Sequence, residues 1–408
     1  MKLLKLELKR VLKTRLTWIL LLCSLFLTFF MAYMPTTFHG VNYTDETGET
    51  VKIKGLDYIK YKKEVQKDTA GTVTPEKLRQ ALEAFQDCLN EYDAENVYAL
   101  PENIFNERIL PYLPLMRCMQ EAYSNPVTYI DLGQIDNFYS DCHDRIASYM
   151  EIKQKKHPAA QNHAITMYNK VEMPFISYPG YSTEAMDYQT FFIFLIVLFS
   201  VVITAPIFSS DYQSGADDII RCTKNGRLCL GVTKIVSAFI ICMSSFILCN
   251  ILYILISNSM FGWECTKISI QMLYSVVSLP SFNLGEMQFV IILASLISML
   301  ATISLTLFVS SKCKTNFVSL SLGMLFFFLP TVVYASIPGD IGTWLLCILP
   351  SSGTSILSAW QFVLTDFEYL NIGNIAVWTP YAMIGFTVIE LGVFTGLTLH
   401  SYCAHKIK

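Results

Sequence analysis

The chain has 408 residues, of which 53% are hydrophobic and 15% charged. A soluble domain carries about 25% charged residues, so this composition excludes an ordinary soluble enzyme and points to a membrane protein. The formal net charge of −3 says little by itself; its distribution says more, and no nucleic-acid partner is expected.

The first fifteen residues carry six basic side chains, Lys2, Lys5, Lys9, Arg10, Lys13 and Arg15. Leu4, Leu8, Val11 and Leu12 fall on one helical face, which predicts an amphipathic helix at the membrane surface, attracted to anionic lipid. A bilayer core about 30 Å thick needs roughly 20 apolar residues to cross it as a helix. Residues 16–34 supply the first such stretch. Its apolar core exceeds the roughly 7–15 residues of a signal peptide and no small-residue cleavage site follows, so an uncleaved anchor is expected. Segment 1–34 is therefore read as an amphipathic helix plus transmembrane helix 1.

Residues 35–187 lack any run of membrane length and are acidic overall. They are read as a mostly α-helical extracellular domain, tethered at both ends and large enough for a core of its own. Thr74-Pro75-Glu76 is a helix start, with threonine as N-cap and proline in the first turn. Leu78, Leu82, Phe85 and Leu89 follow at helical spacing. Further helices are predicted over 102–108, 116–123 and 136–156, the first two separated by Pro111 and Pro114. Residues 51–55 alternate like a strand. Cys88, Cys118, Cys142 and Cys265 lie in segments read as external, where disulfides are open to them.

Segment 188–408 holds the remaining spans: 188–208, 235–257, 287–310, 317–337 and 381–403. The last contains one acid, Glu390. It is read either as a structural carboxylate bonded to a neighbouring Ser or Thr, or as the ion site of a coupled carrier. Gly385, Gly392 and Gly396 on the same span predict close approach of another helix. Residues 341–365 are also uncharged, but Pro350-Ser351-Ser352-Gly353 breaks them, so two short half-helices in a re-entrant outer hairpin are expected rather than a crossing. The fold class is an α-helical membrane protein with six transmembrane helices. Lys and Arg near the N-terminus, in 209–234, at Lys312 and Lys314, and at Lys406 and Lys408 then share one side, whereas loops 258–286 and 338–380 hold only Lys267. By the positive-inside rule both termini are cytoplasmic, and a plasma membrane, with composition hinting at a bacterium, is the expected location.

The polar insert 209–234 is the most informative stretch. It starts acidic, ends basic, and carries Ile219 and Ile220 between. Such a segment suits a short helix, 209–228, projecting toward a soluble partner. No G-x-x-x-x-G-K-[ST] loop, H-E-x-x-H, kinase signature or G-x-S-x-G occurs, so no catalytic residue, metal or cofactor is assigned to this chain.

The opening Leu6-to-Arg15 helix, the insert with Phe208, Asp211, Gly215, Arg227 and Lys234, and the broken hairpin at 341–365 together resemble the membrane subunit of an ABC-2 type transporter (an ATP-binding-cassette exporter permease). The external domain would be an insertion found in some members. The sequence departs from the usual pattern in having Asp211 where the family favours Glu, and Lys224-Asn225-Gly226 where it has proline. The resemblance implies a permease paired with a second copy or homologue in the lipid bilayer, driven by a separate ATP-binding-cassette ATPase subunit that binds the ATP. Asp211, Gly215, Asp217, Asp218, Arg221 and Arg227 are the expected coupling residues, through charge pairing at a soluble interface. The expected cargo is amphipathic, peptide- or lipid-like, and exported. Two alternatives remain: a sensor or immunity protein binding a peptide through its outer domain, and an ion-coupled carrier using Glu390.

Overall fold

The computed structural model describes residues 2–44, 50–222 and 226–404; within these the side chains at 43, 44, 50, 51, 218, 220 and 221 are left aside. Helix α1 (Lys2–Leu12) ends before Thr14, whose backbone is extended, and α2 (Arg15–Tyr33) follows. A hairpin comes next, β1 (Gly40–Thr44) antiparallel to β2 (Thr50–Lys54), with Val41 opposite Ile53. Then come α3 (Gly55–Val65), β3 (Gly71–Thr72), α4 (Pro75–Glu91), α5 (Glu102–Ile104), α6 (Leu113–Tyr123), α7 (Phe138–Lys153), α8 (Pro158–Tyr168) and β4 (Ile176–Ser177). The second half runs α9 (Glu184–Thr204), α10 (Pro206–Ser214), α11 (Ala216–Arg221), α12 (Leu228–Phe261), α13 (Ile270–Leu273), α14 (Leu284–Lys312) and α15 (Asn316–Ser336). It closes with α16 (Asp340–Ile348), α17 (Trp360–Thr365), the β5 (Tyr369–Ile372) and β6 (Ile375–Trp378) hairpin, and α18 (Thr379–Ala404).

Among the described residues, six helices are long and apolar enough to cross a membrane: α2, α9 continued by α10, α12, α14, α15 and α18. This is an α-helical membrane protein. Each of the six expected stretches is present, and α9, α12, α14 and α18 start or end beyond the expected limits, because a helix satisfies its backbone wherever it continues. Helix α14 sits at the centre, packed on α9, α12, α15 and α18, while α2 lies against α9 and α12. The outward faces stay apolar, with Leu248, Ile251 and Leu255 exposed on α12. That is the pattern of helices that meet lipid rather than water.

The 341–365 run resolves into α16, a single 3-10 turn at Ser352–Thr354, and α17. The turn is pressed against α17: a Cβ on Gly353 would lie 2.3 Å from the Trp360 indole nitrogen. That indole N–H donates to the Ser298 hydroxyl of α14 at 3.0 Å.

Between the first two spans, α4 begins where expected, with the Thr74 hydroxyl accepting from the Lys77 amide at 3.4 Å. Its face of Leu78, Leu82, Phe85 and Leu89 is buried. Helix α6 starts at Leu113 rather than 116, since Pro114 falls in the first turn, where a missing N–H costs nothing. The stretch after α5 is π-helical at Phe105–Ile109. Cys88, Cys118, Cys142 and Cys265 are buried free thiols. Burial pushes the Cys142 thiol up to about 12 and that of Cys265 to about 11, so neither is a ready thiolate.

The domain is more than tethered at its two ends. The Tyr168 hydroxyl donates to the Val276 carbonyl at 2.7 Å, and the Gln154 amide to the Phe367 carbonyl at 3.0 Å. Glu121 accepts from the Val276 amide at 3.1 Å, and Lys63 pairs with Glu264 at 2.6 Å. The domain core and the bundle core form one continuous apolar cluster. A freely swinging lid does not fit this packing.

Candidate functional site: a buried ion cluster beneath the 206–228 segment

The end of the bundle opposite that domain brings together α1, α10, the start of α12, the α14–α15 junction and the end of α18. Helix α1 docks its apolar stripe on the bundle: Val11 is buried against Ile203 and Ile241, with Leu8 and Leu12 beside it. The stripe read as a lipid-facing surface is therefore taken up by protein contacts, while Leu6 stays exposed.

Docking α1 places Arg10 beside α10. Its guanidinium donates to Asp211 Oδ1 at 2.8 Å and to the Ile207 carbonyl at 3.2 Å, and lies 2.9 Å from Glu7. Lys234, on the second turn of α12, is fully buried. Its ammonium donates to Asp211 Oδ2 and, at 3.0 Å, to the Ile207 carbonyl, and sits 5.2 Å from the centre of the Phe208 ring. Asp211 thus accepts from two cations, one 201 residues away in sequence and one 23 residues away. A buried charge is tolerable only when paired and hydrogen-bonded, and here each partner supplies what the others need.

This corrects the expectation for Asp211. It was assigned to an outward charge contact, but its carboxylate is 6% exposed and committed inside the chain. The reason is geometric: α10 continues the line of α9 instead of projecting away, so its acid faces α12 and α1. The single helix expected over 209–228 is two, α10 and α11, broken at Gly215, whose φ of +70° is a left-handed cap that favours glycine. Asp217 is buried as well. The side chains of Asp218 and Arg221, like Lys224, lie outside the described residues. Ile219 is 75% exposed and Arg227 is exposed at the start of α12.

Pro206 separates α9 from α10 and cannot donate to the preceding turn. The broken turn is stitched by hydroxyls from α14 and α15. Ser310 accepts from the amides of Phe208 and Ser209, each at 3.1 Å, and donates to the Ala205 carbonyl at 2.6 Å. Ser319 donates to the same carbonyl at 2.7 Å. At the far end of α10, Gln213 accepts from the Asn316 amide at 3.0 Å. Tyr402 of α18 donates to the Gly226 carbonyl at 3.1 Å and stacks near Phe208. Helix α10 is therefore in contact with α1, α12, α14, α15 and α18. Sequence reasoning missed Ser310, Ser319 and Tyr402; the Pro206 break was the signal, since a proline inside a span obliges some neighbour to satisfy the freed groups.

Glu390 sits mid-way along α18, half-buried, and its Oε2 has no hydrogen-bond partner among the described residues. The expected bond from a neighbouring Ser or Thr does not reach that oxygen. Gly385, Gly392 and Gly396 have nothing within 4 Å of an added Cβ, so among the described residues no helix packs closely on them.

Arg10, Asp211 and Lys234 thus join three elements into one unit under an exposed apolar tip. No family model matches the chain and no curated protein sequence matches it.

Proposed function

We propose that this chain is the permease subunit of an ABC-2 type exporter, moved by a separate ATP-binding-cassette ATPase subunit and paired with a second permease. The observation that supports this best is the Arg10–Asp211–Lys234 cluster, which makes the segment after the second span a lever rather than a loose loop. The chain carries no nucleotide-binding motif of its own, so work must enter from a partner, and only a partner that contacts the two states differently can shift them. With Asp211 committed internally, the contact falls to the exposed Ile219 and Arg227, with Gly215 as the hinge between α10 and α11. On this reading the basic end of the bundle is cytoplasmic, the 35–187 domain is external, and α16 and α17 form a re-entrant pair on the external side.

Co-expression with an ATP-binding-cassette ATPase subunit, sought first in the adjacent reading frames, tests the proposal. Stoichiometric co-purification is expected, and Ile219→Asp or Arg227→Glu should each reduce recovery about tenfold, the size of a central interface residue. Full recovery of both variants, or no ATPase at all, would sink it. A second reading, an ion-coupled carrier, is favoured by one observation, the partnerless Oε2 of Glu390. Under the exporter reading, Glu390→Gln keeps its transport activity across pH; complete loss would shift the assignment to the carrier.

A further inference from the structure

A cavity of about 380 Å³ opens between the end of α15, α16, α17 and the start of α18, under Lys153 of α7. That is the size of a small-molecule site. Its floor and wall are apolar: Leu346, Leu357, Phe362, Val363 and Met383. Tyr334, Leu357 and Phe362 are exposed, so the apolar wall is open at the surface of the protein. At the other end the lining turns charged.

Three charged side chains line it, Lys153, Asp366 and Glu368. Lys153 lies 3.2 Å from Glu368 and 3.7 Å from Asp366. Burial works against the lysine's charge, but the two acids outweigh it and hold its ammonium above the usual range. One cation thus serves two carboxylates, each able to accept several hydrogen bonds. The lining keeps an uncompensated negative charge beside an apolar trough. Thr343, Ser358 and Thr379 add polar atoms between the two zones.

The mouth is built, not incidental. Helix α16 folds back so tightly on the end of α15 that a Cβ on Gly342 would lie 1.9 Å from the Ile337 carbonyl oxygen. Backbone therefore forms that wall, and only glycine fits. On the outer side Lys153 comes from the inserted domain, so the domain's docking sets the width of the charged end.

We propose that this cavity binds a cationic amphipath, its amine on Asp366 and Glu368 and its apolar tail along Leu357, Phe362 and Met383. The charge count selects the occupant: a lipid-like anion would meet two carboxylates, whereas an amine would be a second cation for two carboxylates that share one, Lys153. Asp366 Oδ1 also accepts from the Phe367 amide. Lys153 competes with the ligand for the same two acids and so tunes affinity. The proposal names the cargo class for the exporter reading and rests on that reading only for transport; binding needs no ATPase.

The test uses the full chain in lipid nanodiscs with two photoactivatable probes of equal length, a diazirine analogue of dodecylamine and one of lauric acid. The amine probe is expected to label residues in 334–346 and 357–363 saturably, with competition by plain dodecylamine. Asp366→Asn with Glu368→Gln should raise its half-saturating concentration about tenfold, the loss expected for a charged hydrogen bond. Met383→Trp, which fills the trough and leaves the charges alone, should abolish labelling. Lys153→Met should tighten binding several-fold, an opposite sign that a purely structural role for these residues would not give. Equal labelling by the lauric acid probe overturns the proposal. So does amine labelling that spreads over Leu248, Ile251 and Leu255 of α12, or that ignores all three variants. Failure here leaves ATPase co-purification untouched, and loss of the ATPase leaves this labelling untouched, so the two readings fail separately.

Discussion

Asp211→Ala is expected to destabilise the protein by about 3–5 kcal/mol, the cost of leaving a buried charge without its partner. The stranded group is Lys234, which is fully buried and has no route to water within its helix. Arg10 has an alternative, since its side chain is 37% exposed and Glu7 lies 2.9 Å away. Arg10→Ala should therefore cost much less than Asp211→Ala, about 1 kcal/mol, because the lost pair is partly screened by solvent. The decisive arm is the double variant Asp211→Leu with Lys234→Met. Replacing both members of a buried pair by apolar groups of similar volume is often neutral, so most of the lost stability should return. Unfolding of the purified protein in detergent, followed against added dodecyl sulfate, reads all three. A double variant no better than Asp211→Ala would mean that packing, not charge, governs the position. If the stable double variant no longer responds to an ATPase partner, the cluster is retained for transmission rather than for stability.

The sequence made the crossings legible because the signal is one of length: about 20 apolar residues have few other fates. It did not make the ion cluster legible. Arg10 and Asp211 are 201 residues apart, and Lys234 reads as a positive flank until α12 is seen to begin at Leu228, which puts the lysine one and a half turns inside the helix. Gly215 was singled out and does have a physical duty, a left-handed cap, but that cap divides the segment expected to be one helix. In the inserted domain, α4 was readable from its cap and its apolar face. Helices α3 and α8 were not, because α3 follows a strand through Gly55 at φ +65° with no side-chain cap, and α8 has a weak apolar pattern. The domain's attachment to 262–283 and 366–378 was also hidden. Besides ion pairs such as Lys63 with Glu264, several of those contacts are hydrogen bonds to loop carbonyls and amides, such as Tyr168 to Val276, and loop backbone leaves no pattern in side-chain sequence. The exposed glycines of α18 mark the reverse case, since small residues permit a close helix contact but do not create one.

Ser310→Ala should cost about 2–4 kcal/mol, while Ser319→Ala, a seemingly equal hydroxyl deletion, should cost about 1 kcal/mol. Both side chains are fully buried and both donate to the Ala205 carbonyl. The difference lies in what each accepts. Ser310 is the hydrogen-bond partner of two backbone amides, Phe208 and Ser209, at the first turn of α10, where Pro206 has already broken the ladder. Removing its oxygen takes that acceptor from both amides at once, at about 1–3 kcal/mol each before relaxation. Deleting Ser319 strands nothing, because Ala205 keeps the bond from Ser310. Ser310→Thr, which retains the oxygen, should recover most of the loss if the added methyl fits. Detergent-denaturation midpoints of the three variants give the comparison directly, and equal losses for Ser310→Ala and Ser319→Ala would refute the assignment. The same stitch carries the mechanical argument. Under the proposed exporter reading, the first turn of α10 held to Ser310 passes a push to α14, so in a reconstituted complex Ser310→Ala should bind an ATPase normally yet respond to it weakly. A variant that is both unstable and fully coupled would show that force passes through the Arg10–Asp211–Lys234 cluster alone.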